Sequence, residues 1–273
     1  MLKWQELVVE RKLGWQEIWP WSTSRLSFLL RSTYDVLPSP RNLVRWKVGN
    51  DENCRCGRVG TLKHILSNCP LALERYTWRH NEVLKILFDV FSRQMDKINR
   101  GECPQKPAMK STITFIRSNQ KDFIKKPQRL VDDANWNGKW QISADLPGRE
   151  RFFPIPTALK PDIVIWSEER KDVYLIELTV PHEDNIDAAQ IRKDERYANL
   201  LTECEENGWM AKHFPIEVGC RGFIGNRLRD LLHFIGIKQT EMKKVMKNIE
   251  ETVEKASHWV WLKRNDDIWL NGT

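Results

Sequence analysis

Two stretches decide the fold: Lys160-Pro161-Asp162-Ile163-Val164-Ile165-Trp166 and Val173-Tyr174-Leu175-Ile176-Glu177-Leu178-Thr179-Val180. Both are β-branched and apolar. Ser167 to Asp172 between them is polar and charged, so the pair predicts an antiparallel hairpin with a loop of about six residues. With the loop centred between Glu169 and Arg170, Asp162 and Glu177 are equidistant from it. They should face each other on one side of the hairpin, with Cβ atoms roughly 5 Å apart. Two carboxylates that close repel unless a cation lies between them, and hard oxygen ligands of this kind suit Mg²⁺ or Mn²⁺. Taken singly, either acid is more often an edge or solvent-facing residue. The reading rests on what the next segment brings to the pair.

Asn185 to Asn207 predicts a helix ended by Gly208, with Ala189, Tyr197, Leu200 and Cys204 on one stripe. Continuing the stripe places Lys193 on it. A lysine on the face that packs against a sheet is costly unless its ammonium reaches water or carboxylates, and here Asp162 and Glu177 are within the sheet. The plainer alternative is a snorkelling side chain whose stem covers apolar surface. In the chemical reading, Lys193 orients an attacking water and steadies the charge of a pentavalent phosphate while a metal ion activates that water.

On these residues, Lys160 to Leu200 resembles the PD-(D/E)xK nuclease pattern. More narrowly, it resembles the restriction-like endonuclease of non-LTR retrotransposons, in which the lysine has moved from the strand to the following helix. The resemblance implies Asp162 and Glu177 as metal ligands and Lys193 as the catalytic lysine. Pro215-Ile216-Glu217-Val218-Gly219-Cys220-Arg221-Gly222-Phe223 and Trp259-Val260-Trp261-Leu262-Lys263-Arg264 are similar to the same elements. Two positions depart from the pattern. Relatives commonly have an aromatic residue where His182 stands and a second lysine where Arg196 stands, and an arginine keeps the charge but cannot take a proton from water.

A second constellation is Cys54-x-Cys56, then His64, then Cys69. Four soft or borderline ligands in polar sequence, with Gly57 and Gly60 for tight turns, suit a closed tetrahedral Zn²⁺ site. Three scattered thiols and a helical histidine are the competing reading. Cys-Cys-His-Cys knuckles of this spacing lie just upstream of the endonuclease in the resembled elements. The flanks Leu37-Pro38-Ser39-Pro40-Arg41-Asn42-Leu43-Val44-Arg45-Trp46 and Trp78-Arg79-His80-Asn81 fit as well. The knuckle is expected to be structural and to present Arg55, Arg58 and Lys63 to a phosphate backbone. Arg79 and Arg196 are further expected contacts to nucleic acid.

The net charge of +7 over 273 residues is modest. Its distribution says more: residues 1–160 hold 28 Lys and Arg against 16 Asp and Glu, whereas residues 161–273 hold 16 against 21. The basic half is the expected nucleic-acid clamp, with DNA, or RNA, as partner. Three of six cysteines go to zinc, Cys103, Cys204 and Cys220 have no obvious pairing, and no secretory signal is read, so the expected compartment is intracellular and reducing. The resemblance implies the nucleus. No apolar run approaches the 18 or so residues of a membrane span. The thirteen tryptophans are scattered and read as core or rim residues, not as a stacking platform.

The expected architecture is α/β: a restriction-endonuclease-like αβββαβ core preceded by a helical arm and a small zinc knuckle, with a C-terminal helix. The divisions are 1–53 for the arm, 54–70 for the knuckle, 71–238 for the core with an insertion at 101–138, and 239–273 for the helix and tail. Leu71 to Met95 supplies the first core helix, with Val83, Leu87, Val90 and Phe91 on one face. Lys139 to Leu146 alternates as a strand, residues 213–218 form the last strand, and Met242, Met246, Ile249, Val253 and Ala256 line the final helix. No reverse-transcriptase motif is present, since Asp132-Asp133 lacks hydrophobic flanks. The resemblance covers roughly residues 20–264, only the C-terminal portion of such an element. The expected activity is Mg²⁺-dependent cleavage of DNA; the alternatives are a catalytically silent nucleic-acid-binding protein and a truncated remnant.

Overall fold

A computed structural model describes residues 3–102 and 136–266. After a 3₁₀ turn at Lys3–Glu6 come three short helices, α1 Trp15–Ile18, α2 Thr23–Thr33 and α3 Pro40–Arg45. Ser22 and Ser39 cap α2 and α3 by accepting hydrogen bonds from Arg25 N and Asn42 N, and Pro40 pre-sets the first turn of α3. The long helix α4, Leu73–Asn99, leads to strand β1, Gln141–Ala144. Then follow β2 Ile163–Ser167, β3 Asp172–Thr179, α5 Ile186–Glu206, β4 Met210–Glu217, α6 Asn226–Phe234 and α7 Gln239–Leu262.

The four strands make one sheet in the order β1-β2-β3-β4, with β1, β2 and β3 antiparallel to one another and β4 parallel to β3. A parallel neighbour requires a crossover, and α5 is that crossover. From α4 to β4 the order is αβββαβ. Both faces of the sheet are covered, which is why β2 and β3 read as nearly continuous apolar runs. Ile163, Ile165, Tyr174, Ile176 and Leu178 point to the face occupied by α4, α6 and α7. Val164, Trp166, Val173 and Leu175 point to the other face and meet Tyr197, Leu200 and Cys204 of α5. Each such side chain contributes about 1.5–3 kcal/mol on full burial. Glu177 has the phase of Val173 and Leu175, so strand alternation delivers it to the α5 side.

The hairpin has the expected register, Ile163 opposite Ile176 and Ile165 opposite Tyr174. Its loop is shorter than expected. Pairing continues to Ser167 and Asp172, leaving four residues, Glu168 to Lys171, with Lys171 in the left-handed region at φ 56°. The Arg170 Nε bond to Asp172 Oδ2, 2.7 Å, holds this turn, and because the shortening is symmetric it leaves the register unchanged.

The proposed insertion at 101–138 lies almost wholly outside the described residues. Its last part belongs to the core: Trp136 packs on Trp140, Tyr174 and Phe234 and donates through Nε1 to the Phe234 carbonyl, 3.3 Å. α6 was not anticipated, although Leu228, Leu231 and Leu232 recur at helical spacing and are buried. The tail beyond residue 266 and Cys103 are outside the described residues; Cys204 and Cys220 are free and buried. Trp15 and Trp19 are neither core nor rim, at 67% and 72% exposed.

The N-terminal arm is docked. Fully buried Glu254 of α7 accepts from Arg11 Nη2 at 2.5 Å and Arg25 Nε at 2.8 Å. Arg221, after β4, pairs with buried Glu183 at 2.6 Å and donates through Nη1 to the Ser32 carbonyl, 3.1 Å. Phe28 of α2 shares an apolar cluster with Leu62, Ile65, Leu66, Val260 and Trp261. Among the described residues, no helix is long and apolar enough to cross a membrane.

Candidate metal cleft and zinc site

A cleft of about 390 Å³ opens where β2 begins, between the end of β3, α5 and the first turns of α4. Asp162, Glu177, Lys193 and Arg196 all line it, joined by His80, Tyr76 and Arg192 and by Ser67 from the cysteine-rich segment. Asp162 directly precedes β2, one register step beyond the Ile163–Ile176 pair, which sets it against Glu177. Its backbone N–H donates to Glu177 Oε2 at 3.3 Å, and its own Oδ2 accepts from Leu178 N at 2.7 Å. The two acids thus tie β2 to β3 through the backbone as well as facing the cleft.

Glu177 is 5% exposed, and both of its oxygens have protein donors. Lys193 Nζ donates to Oε1, and the Tyr197 hydroxyl donates to Oε2 at 2.8 Å. Lys193 and Tyr197 lie four residues apart on α5, hence one above the other on the face turned to the sheet. Burial, and then the Asp162 charge, push the Glu177 carboxyl up; Lys193 and Tyr197 oppose this without cancelling it. Burial, then Glu177, raise the Tyr197 phenol, which keeps it a hydrogen-bond donor. Asp162 Oδ1 takes no hydrogen bond from the described residues, so one acidic oxygen in the cleft is free to bind a cation.

His80 went unassigned in the sequence, where it figured only within a flanking motif. It projects from α4, which covers the opposite face of the sheet, and reaches round the start of β2. Its Nε2 lies 3.2 Å from Asp162 Oδ2 and 3.3 Å from the Leu178 carbonyl, and its Nδ1 lies 3.2 Å from Asn81 Oδ1. Burial works against the imidazolium, but the Asp162 hydrogen bond and charge outweigh it, so the His80 pKa stands above its ordinary value. The sequence signal was present. Arg75, Arg79, Val83 and Leu84 show that this stripe of α4 is buried, and a histidine within it is conspicuous in the way Lys193 is.

Arg79, expected to contact nucleic acid, is instead 1% exposed. Its Nη1 donates to Ser257 Oγ at 2.9 Å and its Nη2 to the Val180 carbonyl at 3.3 Å, tying α4 to α7 and to the end of β3. These bonds hold its guanidinium in the interior, and the side chain forms part of the cleft wall. Arg196 is exposed at the cleft, and Arg192 lies beside it one turn earlier. Arg55 and Arg58 are exposed and Lys63 half-buried; all three stay with the cysteine-rich segment, and Arg55 also donates to the Asn265 carbonyl at 2.8 Å.

The structure brings Cys54, Cys56, His64 and Cys69 together, with their ligand atoms all within 4.8 Å of one another. Cys54 Sγ lies 3.7 Å from Cys69 Sγ, and Cys56 Sγ lies 3.1 Å from His64 Nε2. Around a tetrahedral zinc ion, sulfurs sit about 3.7 Å apart and sulfur and nitrogen about 3.5 Å apart, so this donor set can hold zinc. The first two ligands sit on a tight turn in which Cys54 N donates to the Arg58 carbonyl, 2.7 Å, and Gly57 adopts φ 81°. A π-helical turn, His64–Asn68, carries the third ligand and leads into the fourth. Gly60 sits at the centre of a tight turn, with Thr61 N donating to the Val59 carbonyl at 3.0 Å. It makes room for α3, since a Cβ there would lie 2.7 Å from Pro40 Cγ. Burial, with Arg58 adding to it, lowers the His64 pKa and favours the neutral, ligating imidazole; burial pushes the Cys69 thiol up to about 12 in the absence of metal.

One side chain touches both sites. Tyr76 Oη donates to the Ile65 carbonyl at 2.7 Å and accepts from Cys69 N at 3.2 Å, while its ring helps form the cleft one turn before His80. Among the described residues, the Cys/His cluster alone brings three or more His, Cys, Asp or Glu ligand atoms so close. No family model matches this chain, and no curated protein matches it.

Proposed function

We propose that this protein is a metal-dependent DNA endonuclease of the restriction-like type, related to the endonucleases of non-LTR retrotransposons and acting in the nucleus. The observation that carries the reading is the meeting of Asp162, Glu177 and Lys193 at one cleft, although the acids are fifteen positions apart and the lysine lies sixteen positions further on. A Mg²⁺ or Mn²⁺ ion bound there supplies a water acidified toward hydroxide at neutral pH. Asp162 and Glu177 would hold the ion. Lys193, which donates to Glu177 and lines the cleft, would face the scissile phosphate of a bound strand. Its ammonium then offsets the charge that grows on the phosphate oxygens. Arg192 and Arg196, at the mouth, bind flanking phosphates of the strand. The zinc-bound segment, through Ser67 and Tyr76, forms the wall of the cleft.

One observation favours a second reading, a nucleic-acid-binding protein without chemistry. Each Glu177 oxygen already has a protein donor, so an ion would compete with Lys193 for the carboxylate. Incubating zinc-loaded protein with supercoiled plasmid in Mn²⁺ separates the two. Nicking by the parent, lost in Asp162→Ala and Lys193→Ala, is expected. DNA binding with no strand breaks in any of the three would replace the nuclease with the binding protein.

A further inference from the structure

We propose that His80 is a third protein ligand of the Asp162/Glu177 ion and that its imidazole tunes the site toward a transition ion such as Mn²⁺ over Mg²⁺. The inference rests on the nuclease reading above, in that it takes the same cleft as the metal site. It starts from a ring nitrogen that faces two oxygens at once. His80 Nε2 lies 3.2 Å from Asp162 Oδ2 and 3.3 Å from the Leu178 carbonyl, a pair of acceptors that an Nε2 proton serves when no ion is bound. An ion would take the place of that proton, with Nδ1–H then donating to the Asn81 side-chain oxygen 3.2 Å away.

The spacing suits such an ion. Neighbouring donors at about 2.1 Å from an octahedral ion lie about 3.0 Å apart. His80 Nε2 is 3.2 Å from Asp162 Oδ2 and 3.3 Å from the Leu178 oxygen, so two edges of a coordination face are nearly formed. The imidazole is also held as metal-binding histidines are, its second nitrogen fixed by an outer partner, here Asn81. The helix beneath it cannot easily move, because Arg79 is locked to Ser257 and Val180 and because Val83 and Leu84 are fully buried one turn later. At 23% side-chain exposure, His80 still opens to the cleft.

A nitrogen donor changes selectivity. Carboxylate and carbonyl oxygens serve Mg²⁺ and Mn²⁺ alike, whereas imidazole adds affinity chiefly for transition ions. A site of Asp162, Glu177 and the Leu178 carbonyl would be all oxygen; His80 makes it mixed.

The test uses Mn²⁺ as the probe on full-length protein already loaded with zinc, so that His64 is not available to it. Pulsed EPR of the bound Mn²⁺ should show nitrogen hyperfine coupling in the parent and none in His80→Gln, which offers an amide oxygen of similar reach. The ratio of Mg²⁺ to Mn²⁺ dissociation constants, from titration calorimetry, should fall at least about tenfold in His80→Gln, the lower end of what metal-site partners contribute. Mn²⁺ that is bound by the parent and lost in Asp162→Ala, yet carries no nitrogen coupling, would overturn the role of His80 and leave the nuclease reading standing. Mn²⁺ binding indifferent to Asp162→Ala would remove the metal site itself, and with it both readings.

Discussion

Removing zinc from Cys54, Cys56, His64 and Cys69 should destabilise the whole protein, not the knuckle alone. Between the ligands lie Leu62, Ile65 and Leu66, which are 2%, 6% and 0% exposed and pack on Phe28 of α2 and on Val260 and Trp261 of α7. At about 1.5–3 kcal/mol each, their burial contributes on the order of 5–9 kcal/mol. A domain's entire stability is about 5–15 kcal/mol. Few backbone hydrogen bonds hold the segment in place: an isolated bridge between Asn53 and Val59, one short turn and one π-helical turn. Without the ion to fix its conformation, most of that apolar burial is lost or becomes intermittent. If about 5 kcal/mol is forfeited, the midpoint of thermal unfolding should drop by about 10–20 °C for a chain of this size. The assay is circular-dichroism melting before and after treatment with a strong chelator, beside Cys69→Ser and with zinc counted by atomic absorption. One zinc per chain and a large downward shift in both samples are expected. Cooperatively folded protein that carries no zinc, or a shift under about 2 °C on stripping a full equivalent, would refute the reasoning.

Arg79→Ala should lower stability by about 2–4 kcal/mol, since it empties a buried volume and strips Ser257 and the Val180 carbonyl of a donor; urea titration measures it, and unchanged stability would contradict the buried anchor. Arg192→Ala with Arg196→Ala should weaken DNA binding and reduce the slope of log K against log salt by up to about 2, read from anisotropy titrations at several ionic strengths; an unchanged slope would place the DNA elsewhere. Fully buried Glu217 has its carboxyl lifted by burial from 4.5 to about 8, against the opposing pull of Arg227 and Gln190. The folded state therefore keeps a proton that the unfolded chain releases: this contribution to stability is complete below pH 4.5 and is lost as pH rises toward 8. Glu217→Gln should remove that loss, gaining up to about 4 kcal/mol over the parent at pH 9 and little at pH 4; a gain that does not vary with pH would show that Glu217 does not titrate in that window.

Strand alternation and helical stripes carried most of what could be read in the sequence, because both are local consequences of burial. Asp162 and Glu177 declared themselves through a hairpin whose register depends only on the symmetry of its loop, so misjudging the loop by two residues did no harm. Lys193 declared itself as a charge on a buried stripe. The same logic, applied to α4, marks Arg79 and His80 alike. Both lie on the inner half of that helix, but the sequence does not say which neighbour each one meets. Arg79 finds α7, and His80 finds the start of β2. Those partners lie 178 and 82 residues away, so they are set by how α4 crosses the sheet and not by any local pattern. α6 escaped for a different reason: its nine residues offer a short apolar period between Gly225 and Gly236, and tertiary packing supplies what propensity does not. Gly60 shows the limit most plainly. A glycine in a polar loop suggests a turn, and Gly60 sits in one, yet Pro40 of a separate helix pressing against it is a second requirement that no local pattern announces. Local pattern thus placed the groups that could hold a charge. Which of them became an anchor and which reached the cleft was decided by long-range packing, and the assignment of His80 as a ligand depends on that packing being rigid enough to keep Nε2 against Asp162 and the Leu178 carbonyl.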